Sequence, residues 1–302
     1  MKKICIIIIL VLFFGITDTY TSEDVIQLEL DININNISYH YLKWSPNSDK
    51  IAIIVNEKLY IIDKYGDLLE VFQRGFSDYG DHLEWMDNNS LVISYNNKIE
   101  IIDFILSDNR LFKGYNPDSI SYNHNRNELA ITEESMIKLL NIDSGELDIL
   151  LEFYYIYNSF YNKDGSKLFF IADDYFSSFG FTSYMYVFDF NSWTFKRIRD
   201  KYDFYDLYFF DKENNKAYFN AGNVWNYGGL RKDIVEIDLD TLELMKYQEN
   251  MILILDEYKL DINIRDHLIR TDEEKYIYLY ISPDYTRVIF IDDKNATILK
   301  KL

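Results

Sequence analysis

The 302-residue chain carries 50 acidic against 31 basic side chains, a formal charge of −19 at neutral pH. A surface of that sign repels phosphate backbones and anionic lipid headgroups, which argues against nucleic acid as a partner and leaves basic peptides or proteins among the partners it attracts. Cys5 is the single cysteine and falls in a segment expected to be removed on export, so disulfides, thiolate nucleophiles and cysteine metal sites are excluded together.

In chain order the first element is a leader. Met1-Lys2-Lys3 is a basic start, Ile4–Ile16 is an apolar run of 13 residues, and polar residues follow from Thr17 to Ser22. As a helix that run spans about 20 Å, short of the roughly 30 Å hydrocarbon core, so residues 1–22 read as a secretory signal peptide. The alternative is an uncleaved N-terminal anchor, the only route by which this chain would meet a membrane. Residues 23–302 then form one exported domain, in the periplasm or cell envelope. Only three prolines and no Ser/Gly-rich linker interrupt it.

Val25–Ile32 alternates like a strand. After it, one pattern returns six times, anchored at Trp44, Trp85, Tyr122, Tyr161, Phe210 and Ile281. In the first copy, His40–Trp44 is an inner strand, Ser45–Asp49 a turn, Lys50–Val55 and Lys58–Ile62 the next two strands, Asp63–Asp67 a turn and Leu68–Phe72 an outer strand. Further copies run over His82–Phe112, Ser119–Glu152, Asn158–Arg199 and Asp206–Tyr247. The sixth has only three strands, Tyr278–Ile281, Arg287–Ile291 and Ala296–Lys300, so Val25–Ile32 is expected to supply its fourth and hide an open edge. Repeats of about 40 residues that each spell four short strands predict an all-β propeller, because a lone blade cannot bury both faces. Six blades are expected. Seven, with a degenerate one at 248–276, is the alternative, since the anchor spacings of 41, 37, 39, 49 and 71 residues leave an excess there.

Trp44-Ser45-Pro46, Ile281-Ser282-Pro283-Asp284, Asn162-Lys163-Asp164-Gly165-Ser166-Lys167-Leu168, Asp143-Ser144-Gly145-Glu146 and Asp238-Leu239-Asp240-Thr241 match fragments of a Trp-Ser-Pro-Asp-Gly … Asp-x-Asp-Thr-Gly-Glu repeat. Over about residues 40–302 the chain therefore resembles the TolB-type, WD40-like propellers. That resemblance implies an exported envelope protein that binds other proteins. The same repeat precedes prolyl-oligopeptidase-like hydrolase domains, but no Gly-x-Ser-x-Gly elbow occurs in this sequence.

No catalytic, cofactor or metal site is expected. His40, His82, His124 and His267 are scattered without ligand spacing. Asp63, Asp103, Asn141, Asp189 and Asp238 recur at one position of the repeat, which points to a demand shared by every blade, the hydrogen-bonding of a turn. Function is expected at the end where loops vary, between strands two and three and between blades. There the fourth and fifth copies carry about nine extra residues each, near Tyr175–Ser183 and Asn223–Arg231, expected to form one patch. Tyr79, Tyr115, Tyr155, Tyr175, Phe176, Phe179, Phe181, Trp225 and Tyr227 are the candidate partner-binding residues, with Phe76, Tyr154 and Tyr157 beside them. Aromatics at that density fit a protein or peptide partner. The rival readings are a propeller-class glycan hydrolase or lyase using paired acids, and a purely structural propeller.

Overall fold

The computed structural model describes residues 25–27, 42–55, 58–76, 82–105, 109–177, 180–198, 202–211, 214–223, 233–247, 278–284, 287–291 and 296–300. These residues are all-β: six four-stranded antiparallel sheets. After β1 (Val25–Gln27), the first sheet is β2 (Leu42–Trp44), β3 (Lys50–Val55), β4 (Lys58–Asp63) and β5 (Leu68–Gln73). The second is β6 (His82–Trp85), β7 (Ser90–Tyr95), β8 (Lys98–Asp103) and β9 (Arg110–Lys113). The third is β10 (Ser119–Asn123), β11 (Glu128–Glu133), β12 (Met136–Asn141) and β13 (Leu147–Glu152). The fourth is β14 (Tyr155–Tyr161), β15 (Lys167–Ser177), β16 (Gly180–Asp189) and β17 (Thr194–Arg197), and the fifth β18 (Tyr202–Asp211), β19 (Lys216–Asn223), β20 (Asp233–Asp238) and β21 (Leu244–Tyr247). The last sheet runs β1, β24 (Ala296–Lys300), β23 (Arg287–Ile291), β22 (Tyr278–Ile281), so the N-terminal strand completes a blade whose other strands come from the far end of the sequence. Val25 pairs with Leu299, Ile26 with Ile298 and Gln27 with Thr297. The expected strand continued to Ile32; residues 28–41 lie outside the described residues, as does the candidate seventh blade at 248–276.

Successive sheets stack face to face. Ala52, Ile54 and Leu59 of the first meet Leu83, Trp85 and Leu91 of the second, and Val92 and Ile99 of the second meet Leu129 and Ile131 of the third. Ala130 and Leu139 face Leu168 and Phe170, while Phe169, Met185 and Val187 face Ala217, Phe219 and Val235. The middle strands of the second, third and fourth sheets thus lie between two neighbouring sheets, and β7 is buried at all six positions. This is why these strands read as near-continuous apolar runs rather than as alternating ones. β22 lies against β2, and the Asp284 N–H donates to Ser48 Oγ at 2.9 Å, so the last described sheet adjoins the first. The outer strands β5, β9, β13 and β17 face solvent, and β5 and β13 carry bulges that break a flat edge.

The recurring acids close turns, as their recurrence implies. Oδ1 of Asp63 accepts the N–H groups of Tyr65 and Asp67, Asp103 that of Ile105, Asn141 those of Asp143 and Ser144, Asp189 those of Asn191 and Ser192, and Asp238 those of Asp240 and Thr241. The residue after each acid donates its N–H to a carbonyl at the turn between strands one and two: Lys64 to Asp49, Phe104 to Asn89, Ile142 to Asn127, Phe190 to Ser166 and Leu239 to Asn215. Two hairpin turns of one blade are thereby tied together, five times over.

His82 opens β6 in a buried position, with its ring hydrogen-bonded to the Pro117 carbonyl. Burial, then the Lys43 charge, lowers its pKa from the usual 6.5 to about 4. The unfolded chain therefore takes up a proton near pH 6.5 that the folded chain refuses until about pH 4, so this residue makes stability fall as pH drops through that window. The full loss is on the order of 3 kcal/mol. In urea denaturation at stepped pH, His82→Gln is expected to flatten the decline between pH 6.5 and 4 relative to wild type; an identical slope in both proteins would refute the assignment.

Candidate functional site

The two ends of the blades do different work. At the end with the short turns, side chains tie neighbouring blades together. Ser45, Asn162 and Ser282 each accept, through a side-chain oxygen, the N–H five residues on, at 2.9 Å. Between blades, the Asn47 N–H donates to Asn88 Oδ1 at 2.9 Å, Asn123 Nδ2 to the Gly165 carbonyl at 2.8 Å, Asn125 Nδ2 to the Asp164 carbonyl at 2.6 Å and the Lys163 N–H to Asn215 Oδ1 at 3.1 Å. Polar turn residues that are already committed to one another hold the scaffold together.

The opposite end carries the aromatic candidates that fall among the described residues. In the third blade Glu133 and Met136 pair across a two-residue turn, with Glu134 at φ 53°. This turn grips the entry to the fourth blade: the Phe153 N–H donates to the Ser135 carbonyl at 2.8 Å and the Ile156 N–H to the Glu134 carbonyl at 2.9 Å. Ile156 points into the core, so its neighbours Tyr155 and Tyr157 point out, 36% and 37% exposed, with ring centroids 4.8 Å apart in an edge-to-face pair. Tyr154, 57% exposed, precedes them. Below lies Asp173, wholly buried, whose carboxylate accepts the Tyr157 hydroxyl and the Ser183 hydroxyl at 2.8 Å each. The Glu134 N–H donates to Asp118 Oδ2 at 2.6 Å, and the Asn116 N–H to Glu133 Oε1 at 2.8 Å, with Lys138 also paired to Glu133.

The electrostatics are those of an acidic, half-dry ledge. Burial and then the bond to Asp173 push the Tyr157 phenol up to about 12. Burial, followed by the charges of Asp118, Glu134 and Asp173, raises that of Tyr155. Burial, joined by the neighbouring Glu134 and Glu133 carboxylates, raises Asp118 against the bond it accepts from the Glu134 backbone. Both tyrosines are neutral hydroxyls at physiological pH, so they can hydrogen-bond a partner as well as present their rings.

Of the nine candidate residues, the structure places Tyr155 on this ledge. It lies in β14 rather than in the loop where the repeat alignment put it, because the inner strand of the fourth blade starts earlier than the anchor spacing implies. Tyr115 is half-buried and packs on the core between the second and third blades, and Phe76 is fully inside the core between the first and second. Tyr175 and Phe176 lie on β15 and Phe181 on β16, with Phe176 paired to Phe181 and Ser177 to Gly180. The extra residues of this blade are therefore two lengthened strands, not an inserted loop. Tyr79, Phe179, Trp225 and Tyr227 lie outside the described residues, so the expected single patch with 223–231 does too. Asp118, Glu134 and Asp173 were missed; no local motif marks them, since Asp118 and Glu134 reach the tyrosines through contact between blades and Asp173 through its register across β14 and β15. Among the described residues no three His, Cys, Asp or Glu side chains gather where a metal ion could be held.

No protein-family model and no curated protein sequence matches the chain. Solved structures do. A TolB protein from Agrobacterium tumefaciens, 16% identical, aligns over 70% of this chain and 80% of its own with a TM-score of 0.50. A chain of the mitotic checkpoint complex, 11% identical, aligns over 94% of this chain and 96% of its own at 0.51. An oligogalacturonate lyase in complex with manganese, 12% identical, aligns over 94% of both chains at 0.60. With the repeated four-stranded sheets, these likenesses establish the fold: the chain is an all-β propeller similar to the TolB-like and WD40-type proteins.

Proposed function

We propose that this chain is an exported, non-enzymatic propeller that holds a protein or peptide partner against the end bearing Tyr154, Tyr155 and Tyr157. The observation that carries this reading is the group of three exposed tyrosines at the varied end, fixed to the third blade by backbone hydrogen bonds. Rigid aromatic side chains that lose little entropy on contact are what protein interfaces concentrate. The likeness to a TolB protein and to a member of a checkpoint assembly agrees with it. Export rests on the basic start and 13-residue apolar run at the N-terminus.

The test is capture from envelope extracts of the source cell, with the intact mass of the recovered chain measured alongside. Wild type is expected to retain a partner that Tyr154→Ala/Tyr155→Ala loses, a cost of about 2 kcal/mol or more of binding. The melting temperature should stay within a few degrees, since both rings face solvent. The mass should correspond to a start between Thr17 and Asp24. Equal capture by both proteins would refute the binding end, and a chain starting at Met1 recovered from the cytoplasm would refute export. The lyase reading draws on the fold shared with oligogalacturonate lyase; it replaces this one if the purified chain cleaves polygalacturonate into unsaturated products.

A further inference from the structure

We propose that the Tyr155–Tyr157 pair receives a lysine or arginine side chain of the partner, with the carboxylates of Glu134 and Asp118 supplying the counter-charge. This rests on the protein-binding reading and adds the chemistry of what is bound. Two rings meeting edge to face leave a π-face that the other ring does not cover, and a cation is attracted to such a face by the ring quadrupole. The Ile156 N–H bond to the Glu134 carbonyl sets the Glu134 residue at the shoulder of Tyr155, and the Asp118 carboxylate is held there by the Glu134 N–H. The local cation, Lys138, is engaged by Glu133, and among the described residues none pairs with the Glu134 side chain. The chain as a whole supports the sign, since its formal charge is −19. A neutral or acidic ligand would have to desolvate two carboxylates without compensation; a cationic side chain relieves them and stacks on a ring at the same time. The fold already uses this contact internally, where the Arg197 guanidinium sits 4.4 Å from the Tyr184 ring centroid and that of Arg126 4.5 Å from Phe190.

The experiment uses the full mature chain with ring-labelled tyrosine, titrated with an alternating Lys–Gly peptide, its Arg–Gly and Glu–Gly counterparts, and a neutral Ser–Gly peptide. The Lys–Gly and Arg–Gly peptides are expected to shift the Tyr155 and Tyr157 resonances saturably, with affinity falling as salt rises, and the other two to leave them in place. Glu134→Gly removes the carboxylate at a position whose positive φ glycine adopts freely, so the turn is kept; affinity should fall about tenfold, the scale of one partly desolvated charge contact. Tyr155→Phe should keep binding and Tyr155→Ala lose about tenfold, which separates the ring from the hydroxyl. Equal shifts with the Glu–Gly or Ser–Gly peptide, or unchanged affinity in Glu134→Gly, would overturn the proposal. If envelope capture is lost in the tyrosine double variant but intact in Glu134→Gly, the cation proposal fails and the binding end survives. Loss in neither sinks both.

Discussion

Gly165→Ala is expected to be among the most damaging single substitutions in the chain, costing roughly 4 kcal/mol by two separable routes. Gly165 lies at φ +68°, where an L side chain costs about 1–2 kcal/mol. The added methyl would also sit 2.1 Å from Oδ1 of Asn123, inside any possible contact distance. Asn123 cannot simply step aside. Only 2% exposed, it donates to the Gly165 carbonyl at 2.8 Å and accepts the Asn125 and Arg126 N–H groups at 3.1 and 3.3 Å, so moving it strands buried polar groups at about 1–3 kcal/mol. The bond it would lose joins the third blade to the fourth. Urea denaturation of a double-mutant cycle separates the routes: in an Asn123→Ala background, Gly165→Ala should cost only the backbone share. An equal cost in both backgrounds would show that the Asn123 contact is not the cause.

That the glycine of an Asn-Lys-Asp-Gly-Ser-Lys turn should lean on the blade before it is not written in the turn. The repeat itself is legible because every blade answers the same two demands. It must cover both faces, hence Leu91-Val92-Ile93 and its counterparts, and it must close its turns, hence an Asp or Asn at the end of the third strand that captures backbone N–H groups. Trp44 and Trp85 anchor the alignment for a physical reason as well: both are buried, and the Trp85 indole N–H donates to the Lys43 carbonyl of the preceding blade at 3.0 Å. What local chemistry hides is how far two strands continue once they have left the core. Asp173-Asp174-Tyr175-Phe176-Ser177 reads as a loop by composition, yet past an irregularity at Asp174-Tyr175 its backbone pairs with β16 to Ser177, because strand pairing needs no apolar face to propagate a few residues. The ledge is half legible in the same sense. Tyr155-Ile156-Tyr157 has the two-residue period of a strand with one side buried, and Tyr155 stands among the candidates. Of the carboxylates around it, Asp118 and Glu134 come from the third blade, positions that only the stacking of blades makes neighbours, while Asp173 is its register partner on the adjoining strand β15.

Removing β1 should destabilise the last sheet and the blade beside it. Val25–Gln27 is the outer strand of a sheet whose other members end at Lys300, so these residues fasten the two ends of the sequence to each other rather than extend a local hairpin. Without them β24 becomes an unpaired edge, and β22, whose sheet adjoins the first blade through the Asp284–Ser48 bond and the packing of β22 on β2, loses the support of a complete blade. Lost ladder hydrogen bonds and newly exposed apolar surface together place the cost on the order of 5 kcal/mol, which for a domain of this size lowers the melting temperature by about 10 °C or more. Deletion of residues 23–28, followed by thermal melting, measures it. A mere loss of residues and a loss of strand pairing are told apart by adding the excised strand back as a free peptide. If a paired edge is what β1 supplies, the peptide should re-pair with β24 and raise the melting temperature in a concentration-dependent way, since anything that binds the folded state alone stabilises it by mass action. A truncated chain that melts with wild type would mean that the blades are held by the turn-to-turn hydrogen bonds and the inter-blade cores alone, with β1 an ornament on the last sheet.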